Sequence, residues 1–431
     1  MVKLHNEKLF TAELLEEIRE QFAFVNMDPL KQKKRLYFDN AGGSLRLKRT
    51  IEKFAQFDLI PDHPQRNHEA AKYLAEMERK GIEDTRIIFN AENGSIATYL
   101  TASQAIFEIT GKIAENIEGT NIVTTALEHP SAYDSAKYYA EKTGKEFRVA
   151  KTNPVTGGVD AEEITKLIDS NTCFLSVIYA SNISGAILDI ETIVKEARKI
   201  KPDLFIIVDS VQHAPHGIID VEKTPVDVMN FAPYKFFGVR GCGVAYLSER
   251  AASLPHHRLF GKENSDLQLG SPVPAHFAAI SEIVDYVCWI GSKFSNDQNK
   301  RSLYVKGMKK IALHEKALLE IMLNGTDKVR GLRSIPGVTV HLDYEDLSKR
   351  DFIVAITIKH LDFPEAVRAY EAENVIVYDR TASSIYSKRM LESFGMEGAV
   401  RISPLHCNSV EEIEEFLEVT ERIAERNESG L

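Results

Sequence analysis

The sequence predicts an α/β fold: a large domain on a mostly parallel, seven-stranded-type sheet covered by helices, followed by a smaller α+β domain. Three observations predict it. Short, nearly continuous apolar runs recur between about residues 85 and 250, amphipathic segments separate several of them, and the pattern changes after about residue 290. Strands buried on both faces read as unbroken apolar stretches, and helical crossovers make neighbouring strands parallel.

The N-terminal stretch "MVKLHNEKLFTAELLEEIREQF" has helical periodicity and lacks the apolar core of a signal peptide. It predicts a helical arm over 1–35 that packs on the small domain. The large domain, 36–290, contains the runs "RIIFNA" (86–91), "NIVTTALEH" (121–129), "CFLSVIYAS" (173–181), "LFIIVDS" (204–210), "VMNFAPY" (228–234) and "CGVAYL" (242–247). "SAYDSAKYYAEKTG" (131–144) and "IETIVKEARKI" (190–200) read as helices between them. The small domain, 291–431, opens with the helical "LYVKGMKKIALHEKALLEIML" (303–323). It continues through "VTVHL", "FIVAITIKH" and "VIVYD" and closes on the helix "SVEEIEEFLEVTERIAERN" (409–427).

A chain of 431 residues is too long for one small core. Hydrophobic residues at 44% and charged residues at 27% are ordinary for a globular enzyme. The net charge is −10, and the only dense basic stretch, "KQKKR" (31–35), reads as a solvated turn, so nucleic acid is set aside as a partner. Cys173, Cys242, Cys288 and Cys407 are widely spaced, which indicates neither a disulfide frame nor a zinc site and suits a reducing compartment, the cytoplasm. No apolar run is long enough to span a bilayer, so no membrane association is expected.

In open α/β sheets ligands bind at the carboxyl ends of the strands. Here four consecutive strand ends deliver chemistry: His129, then Asn182, then Asp209 with Gln212 and His213, then Lys235. A lysine amine can form a Schiff base with an aldehyde, and a carboxylate beneath a pyridine ring keeps the ring nitrogen protonated. Pyridoxal 5'-phosphate needs both. His129 is placed to stack on such a ring and Gln212 to donate to its phenolic oxygen. A phosphate needs backbone N–H groups at a helix start, and "FNAENGSIATYLTASQAIF" (89–107) offers Gly94 and Ser95 before a helical pattern. Singly, each residue has a plainer reading: a cap for Asp209, a surface residue for His129, a snorkelling side chain for Lys235.

The chain resembles the class V aminotransferase and cysteine desulfurase family of fold type I pyridoxal-phosphate enzymes, from about residue 35 to 425. "YFDNAGGS" (37–44) resembles its N-terminal substrate loop, "LEH" (127–129) its stacking-histidine segment and "ASNISG" (180–185) the stretch whose asparagine touches cofactor and substrate. "VDSVQ" (208–212) resembles its Asp-x-x-Gln signature and "YKFFG" (234–238) its cofactor lysine. "LQLGSP" (267–272) resembles the segment that reaches the neighbouring subunit's phosphate, and "VRIS" (400–403) the strand whose arginine clamps the substrate carboxylate. The resemblance implies a homodimer with shared sites and an amino-acid substrate. It implies Lys235 and His129 as catalytic residues. Gly94, Ser95, Asp209, Gln212, Asn182, Tyr234 and Ser271 would hold the cofactor, and Arg401, Asn40 and Asn182 the substrate.

Two departures bear on the reaction. Ala232 and Tyr234 stand where the family often has Ser and His just before the lysine. The stretch 377–401, where desulfurases carry a nucleophilic cysteine, has none. The expected chemistry is therefore a lyase-type reaction on a cysteine-like or β-substituted amino acid. Aminotransfer, decarboxylative carbon–carbon bond formation and epimerisation are alternatives, and a non-catalytic scaffold on the same fold is the rival of another class.

Overall fold

The computed structural model describes residues 8–61 and 63–428; residues 1–7 of the expected arm, Asp62 and residues 429–431 lie outside the described residues. A seven-stranded sheet is built from β1 (Ser95–Tyr99), β2 (Asn121–Thr125), β3 (Glu146–Ala150), β4 (Thr172–Ile178), β5 (Phe205–Asp209), β6 (Val228–Phe231) and β7 (Gly243–Leu247). Their order is β1-β7-β6-β5-β4-β2-β3. All pairs are parallel except those of β7 with β6 and β1. Every residue of β2, β4, β5, β6 and β7 is buried, as their unbroken apolar runs require.

The helices are α1 (Ala12–Gln21), α2 (Lys48–Asp58), α3 (Glu69–Phe89), α4 (Ala102–Asn116), α5 (Pro130–Lys142), α6 (Ile190–Ile200), α7 (Pro274–Ser292), α8 (Lys300–Asn324), α9 (Phe363–Ala372) and α10 (Val410–Glu428), with shorter turns between them. Successive strand residues point to opposite faces. On one face Ile122, Phe174 and Ile207 pack with Ile106 and Ile109 of α4 and Ala132 and Ala136 of α5. On the other Val123, Leu175, Ile206 and Val208 pack with Ile88 of α3, Ile193 of α6 and Ile280 of α7.

A second core is formed by β8 (Val338–His341), β9 (Val354–Ile358), β10 (Tyr378–Thr381) and β11 (Gly398–Ile402), an antiparallel sheet of order β10-β11-β9-β8 packed against α9 and α10. The two cores share α8: Tyr304, Met308 and Ile311 lie in the first, Leu318, Leu319 and Met322 in the second.

The structure differs from the sequence reading in four places. "RIIF" is the last turn of α3, closed by Asn90 in the left-handed region at φ 55°, because a four-residue apolar run fits a buried helix end as well as a strand. The first strand lies beyond it, at 95–99, and edge strand β3 has mixed polarity and no apolar run to announce it. Leu36–Tyr37 pairs in parallel with Val375–Ile376, so Leu36 and Phe38 join the second core although they open the expected large domain. Finally, α1 buries Leu14 and Ile18 in the first core, which holds residues of both expected domains, Ile283 and Tyr286 with Met308 and Leu405 among them, and Phe22 beyond its end sets its ring 5.7 Å from those of Phe237 and Tyr286. Arg19 of this helix also donates to Glu412 of α10 and to the Cys407 carbonyl, each at 2.8 Å.

Candidate active site

A cavity of about 330 Å³ opens at the carboxyl ends of the central strands, within the size range of small-molecule pockets. His129, Asn182, Asp209, Gln212, Tyr234 and Lys235 all line it. Lys235 ends a one-turn helix, Pro233–Lys235, directly after β6, and the fully buried Phe236 and Phe237 anchor the chain behind it. Burial, ahead of repulsion from Arg401, lowers its amine to about 8. That leaves far more free amine near neutral pH than an exposed lysine has.

Asp209 ends β5 and is buried; its Oδ1 accepts the Val211 N–H at 3.1 Å, and burial raises its pKa. His129 precedes Pro130 at the start of α5, and its Nδ1 accepts the Ser131 N–H at 3.3 Å, which assigns the ring proton to Nε2. Burial, ahead of repulsion from Lys235, lowers the imidazole to about 3, so it is neutral across the physiological range. Asn182 Oδ1, Gln212 Oε1 and Asn230 Oδ1 are buried at this cavity without a partner among the described residues. Buried polar atoms without partners are costly, and their convergence on one cavity marks where a polar ligand would complete them.

The helix start that faces this cavity is that of α4, not the Gly94–Ser95 turn. Thr101, Ala102 and Ser103 line the cavity, and the Thr101 hydroxyl caps the Gln104 N–H at 3.0 Å. The Ala102 and Ser103 amides have no carbonyl inside their own helix. Ser95 pairs with Leu247 at the far end of β1, whereas Tyr99 pairs with Gly243 beside the cavity. Four residues of strand put Gly94 and Ser95 roughly 13 Å too far away. Gly243 is needed here for space: a Cβ on it would stand 2.2 Å from the Ala102 nitrogen.

Three further expected residues lie outside the cavity wall. Asn40 is buried and donates to the Tyr37 and Ser403 carbonyls while accepting the Leu45 N–H, so its amide is fully used in joining those segments. Arg401 is buried behind Asn182, donating to that residue's carbonyl at 3.3 Å and to Asp39 Oδ1 at 2.6 Å. Ser271 is exposed on the 253–273 segment, beside a second hollow. His213, on the same turn as Gln212, faces away to Asp351 at 3.0 Å and stacks on Tyr179.

Sequence reasoning missed Thr101, Ser103, Asn230, Arg240 and Arg380. Arg380 shares a face of the β10–β11 pair with Arg401; it is buried, donates to the Tyr386 carbonyl, and has no carboxylate at ion-pair distance among the described residues. The alternation of β10 was the signal for it. Asn230 could have been found in the same way, as a polar residue inside an otherwise apolar run.

A lysine with a lowered pKa, a buried carboxylate, a neutral imidazole and unpartnered amide oxygens around one cavity, with a helix N-terminus at its end, are the parts that a pyridine aldehyde phosphate requires. Fold and cavity together define a pyridoxal-phosphate enzyme on an open, doubly covered sheet. Residues 36–416 match the family model "Aminotransferase class-V", and the chain belongs to that family, whose enzymes use pyridoxal 5'-phosphate. It is 26% identical over 93% of its length to a probable cysteine desulfurase of Borreliella burgdorferi, covering 94% of that protein. It is also 26% identical to the aminotransferase-like protein FGM3 of Gibberella zeae, covering 95% of this chain and 98% of that one. Among solved structures, the apo cysteine desulfurase of Thermococcus onnurineus NA1 superposes with a TM-score of 0.79 at 20% identity, covering 95% of this chain and 98% of that one. The cysteine desulfurase CsdA of Escherichia coli gives 0.78 at 18% identity, covering 97% and 99%.

Proposed function

We propose that this enzyme catalyses a lyase-type reaction on a cysteine-like or β-substituted amino acid, as a cytoplasmic homodimer, without a protein-bound persulfide. The state of its four cysteines carries this reading. All are buried, and burial raises Cys173 to about 11 and Cys242 and Cys288 to about 12, with Cys407 higher still. The thiolate is the reactive form, so none is set up to accept sulfur. Cys242 is the one that lines the cavity, and its thiol points to the Gly243 carbonyl. Elimination needs no such acceptor.

The cofactor, when bound, supplies an electron sink for charge developing at the substrate's Cα. The chain's own residues do the rest. Lys235 would hold the aldehyde carbon and, when free, would hold or move the proton at Cα. Asp209 would hold the ring N–H, His129 would cover the ring face, and the amides of Asn182 and Gln212 would meet its polar substituents. Arg401 and Arg380 hold the substrate carboxylate, for which a guanidinium fork is matched in shape.

The test is an amino-acid panel with cofactor absorbance and product mass, followed by the same assay on a variant with all four cysteines replaced by alanine or serine. Turnover should survive, reduced only by packing losses. A persulfide on any cysteine of the wild type, with activity abolished by its replacement, would sink the reading. Aminotransfer is the second reading, supported by the name of the Gibberella zeae relative; a 2-oxo acid that retains the β-substituent would establish it instead.

A further inference from the structure

Arg240 has no role in the reaction just described; it is exposed and stands at the rim of the cavity. It lines the same cavity as Thr101, Ala102, Ser103 and Lys235. Three residues further on, Gly243 lies against the first amide of α4. The Arg240 guanidinium lies 4.4 Å from the centre of the Tyr234 ring, a distance at which the cation is attracted to the ring face.

No carboxylate stands within ion-pair distance of Arg240 among the described residues. Its charged neighbour is another cation, Arg46, whose Nη1 donates to the Tyr234 carbonyl at 2.8 Å and to the Ser44 carbonyl. Burial, ahead of the charge on Arg240, lowers Arg46 to about 10. Two guanidiniums brought together without an acid between them form a site for an anion. At Gly43 a Cβ would stand 2.8 Å from Arg240 Nη2, so the absence of a side chain there leaves the guanidinium its room.

We propose that Arg240 is the side-chain cation of the cofactor's phosphate subsite, held in position by the ring of Tyr234. The inference rests on the cofactor reading and adds to it. The α4 amides alone offer partial charge to a dianion, and Ala232 offers no side-chain donor. A guanidinium at the same end supplies full charge and two parallel N–H donors. Arg401 and Arg380 are left to the substrate carboxylate, as in the proposed function.

The experiment titrates the apo protein with pyridoxal 5'-phosphate and, separately, with pyridoxal, which lacks the phosphate. Arg240→Ala should weaken pyridoxal 5'-phosphate by roughly tenfold to a hundredfold, the range for loss of a charged hydrogen-bond pair, and leave pyridoxal binding unchanged. Arg240→Lys should recover part of the loss. Tyr234→Leu, which removes the ring, should lower the wild-type ratio further than Tyr234→Phe, which keeps it. Inorganic phosphate should compete with the cofactor on the wild type and much less on Arg240→Ala. Equal weakening of both ligands would show a structural role and overturn the proposal. So would unchanged cofactor affinity with a raised substrate KM, which would assign Arg240 to the substrate. A wild type that did not discriminate between the two ligands would instead bring down the cofactor reading itself.

Discussion

At Lys235 the surroundings oppose the charge the side chain carries in water. Burial comes first and the Arg401 cation second, and together they outweigh the attraction of Asp209, so the amine titrates near 8 instead of 10.5. A lysine whose folded pKa is depressed destabilises the fold while protonated, and stability recovers as pH rises from about 8 toward 10.5. The same shift prepares the nucleophile. Capture of pyridoxal 5'-phosphate by the apo protein should quicken by about tenfold per pH unit in acid and level off above about 8. Stopped-flow absorbance reads the rate, and borohydride reduction with peptide mapping reads the site. A break near the ordinary lysine value, or an adduct on another lysine, would remove Lys235 from its role. Lys235, Asp209, Asn182 and His129 were legible in the sequence because each ends a buried apolar run, and parallel strands bring such ends to one edge. Thr101 and Arg240 were not, because their positions depend on how closely Gly243 lets a strand approach the start of α4, which no periodicity encodes. Gly94 was misread for the same reason: a glycine before a helical pattern does not say how much strand intervenes.

Among the elements, α8 joins the two cores, and a buried ionic cluster sits at its middle. Glu315 on this helix accepts from His216 Nδ1 at 2.8 Å and from the His406 N–H at 3.0 Å, while His406 Nε2 meets the Tyr286 hydroxyl at 2.7 Å. Residues from the turn after β5 and from the segment before α10 thus meet at the Glu315 carboxylate of α8, and Tyr286 of α7 joins them through His406. Burial works to lower His216, but the Glu315 carboxylate outweighs it and raises the imidazole to about 9. Burial works to raise Glu315, and His216 outweighs it, so the carboxyl falls to about 2. A histidine raised in the fold contributes fully below its unfolded value near 6.5 and loses that contribution as pH climbs through about 9; the carboxylate contributes fully above about 4.5 and loses it toward 2. Urea melts from pH 6 to 9.5 should therefore show a stability loss that the double variant His216→Gln, Glu315→Gln lacks. Parallel slopes in the two proteins would mean that the pair is not ionised in the fold. Glu315→Gln alone should cost about 3–5 kcal/mol, as removal of one partner of a buried pair does. The helix was legible from its 3.6-residue period, but this cluster joins residues 216, 286, 315 and 406, too far apart in sequence for any motif to link.

For the whole molecule, the proposed homodimer has a candidate contact surface beside the cavity mouth. Leu100 borders both the cavity and the neighbouring hollow of about 320 Å³, which Leu269, Ser271, Val273 and His276 also line. Leu100, Leu269 and Val273 are exposed, and so are Leu259 and Phe260 on the same 253–273 segment. Apolar side chains gathered around a site entrance are the usual mark of a contact surface. A second copy of the chain related by a two-fold axis would cover such a patch with itself, and each copy would then close the other's cavity. Ser271 lines the same hollow, and in such a dimer it would serve the partner's site. Light scattering should give twice the chain mass for the wild type. Leu269→Glu with Phe260→Glu, both distant from the core, should shift the protein to a monomer while its circular dichroism stays native. The monomer should release pyridoxal 5'-phosphate on gel filtration far more readily than the dimer, because its cavity mouth stays open to water. A wild type that is monomeric and still retains the cofactor would show that one chain builds the whole site and that the apolar rim has another purpose.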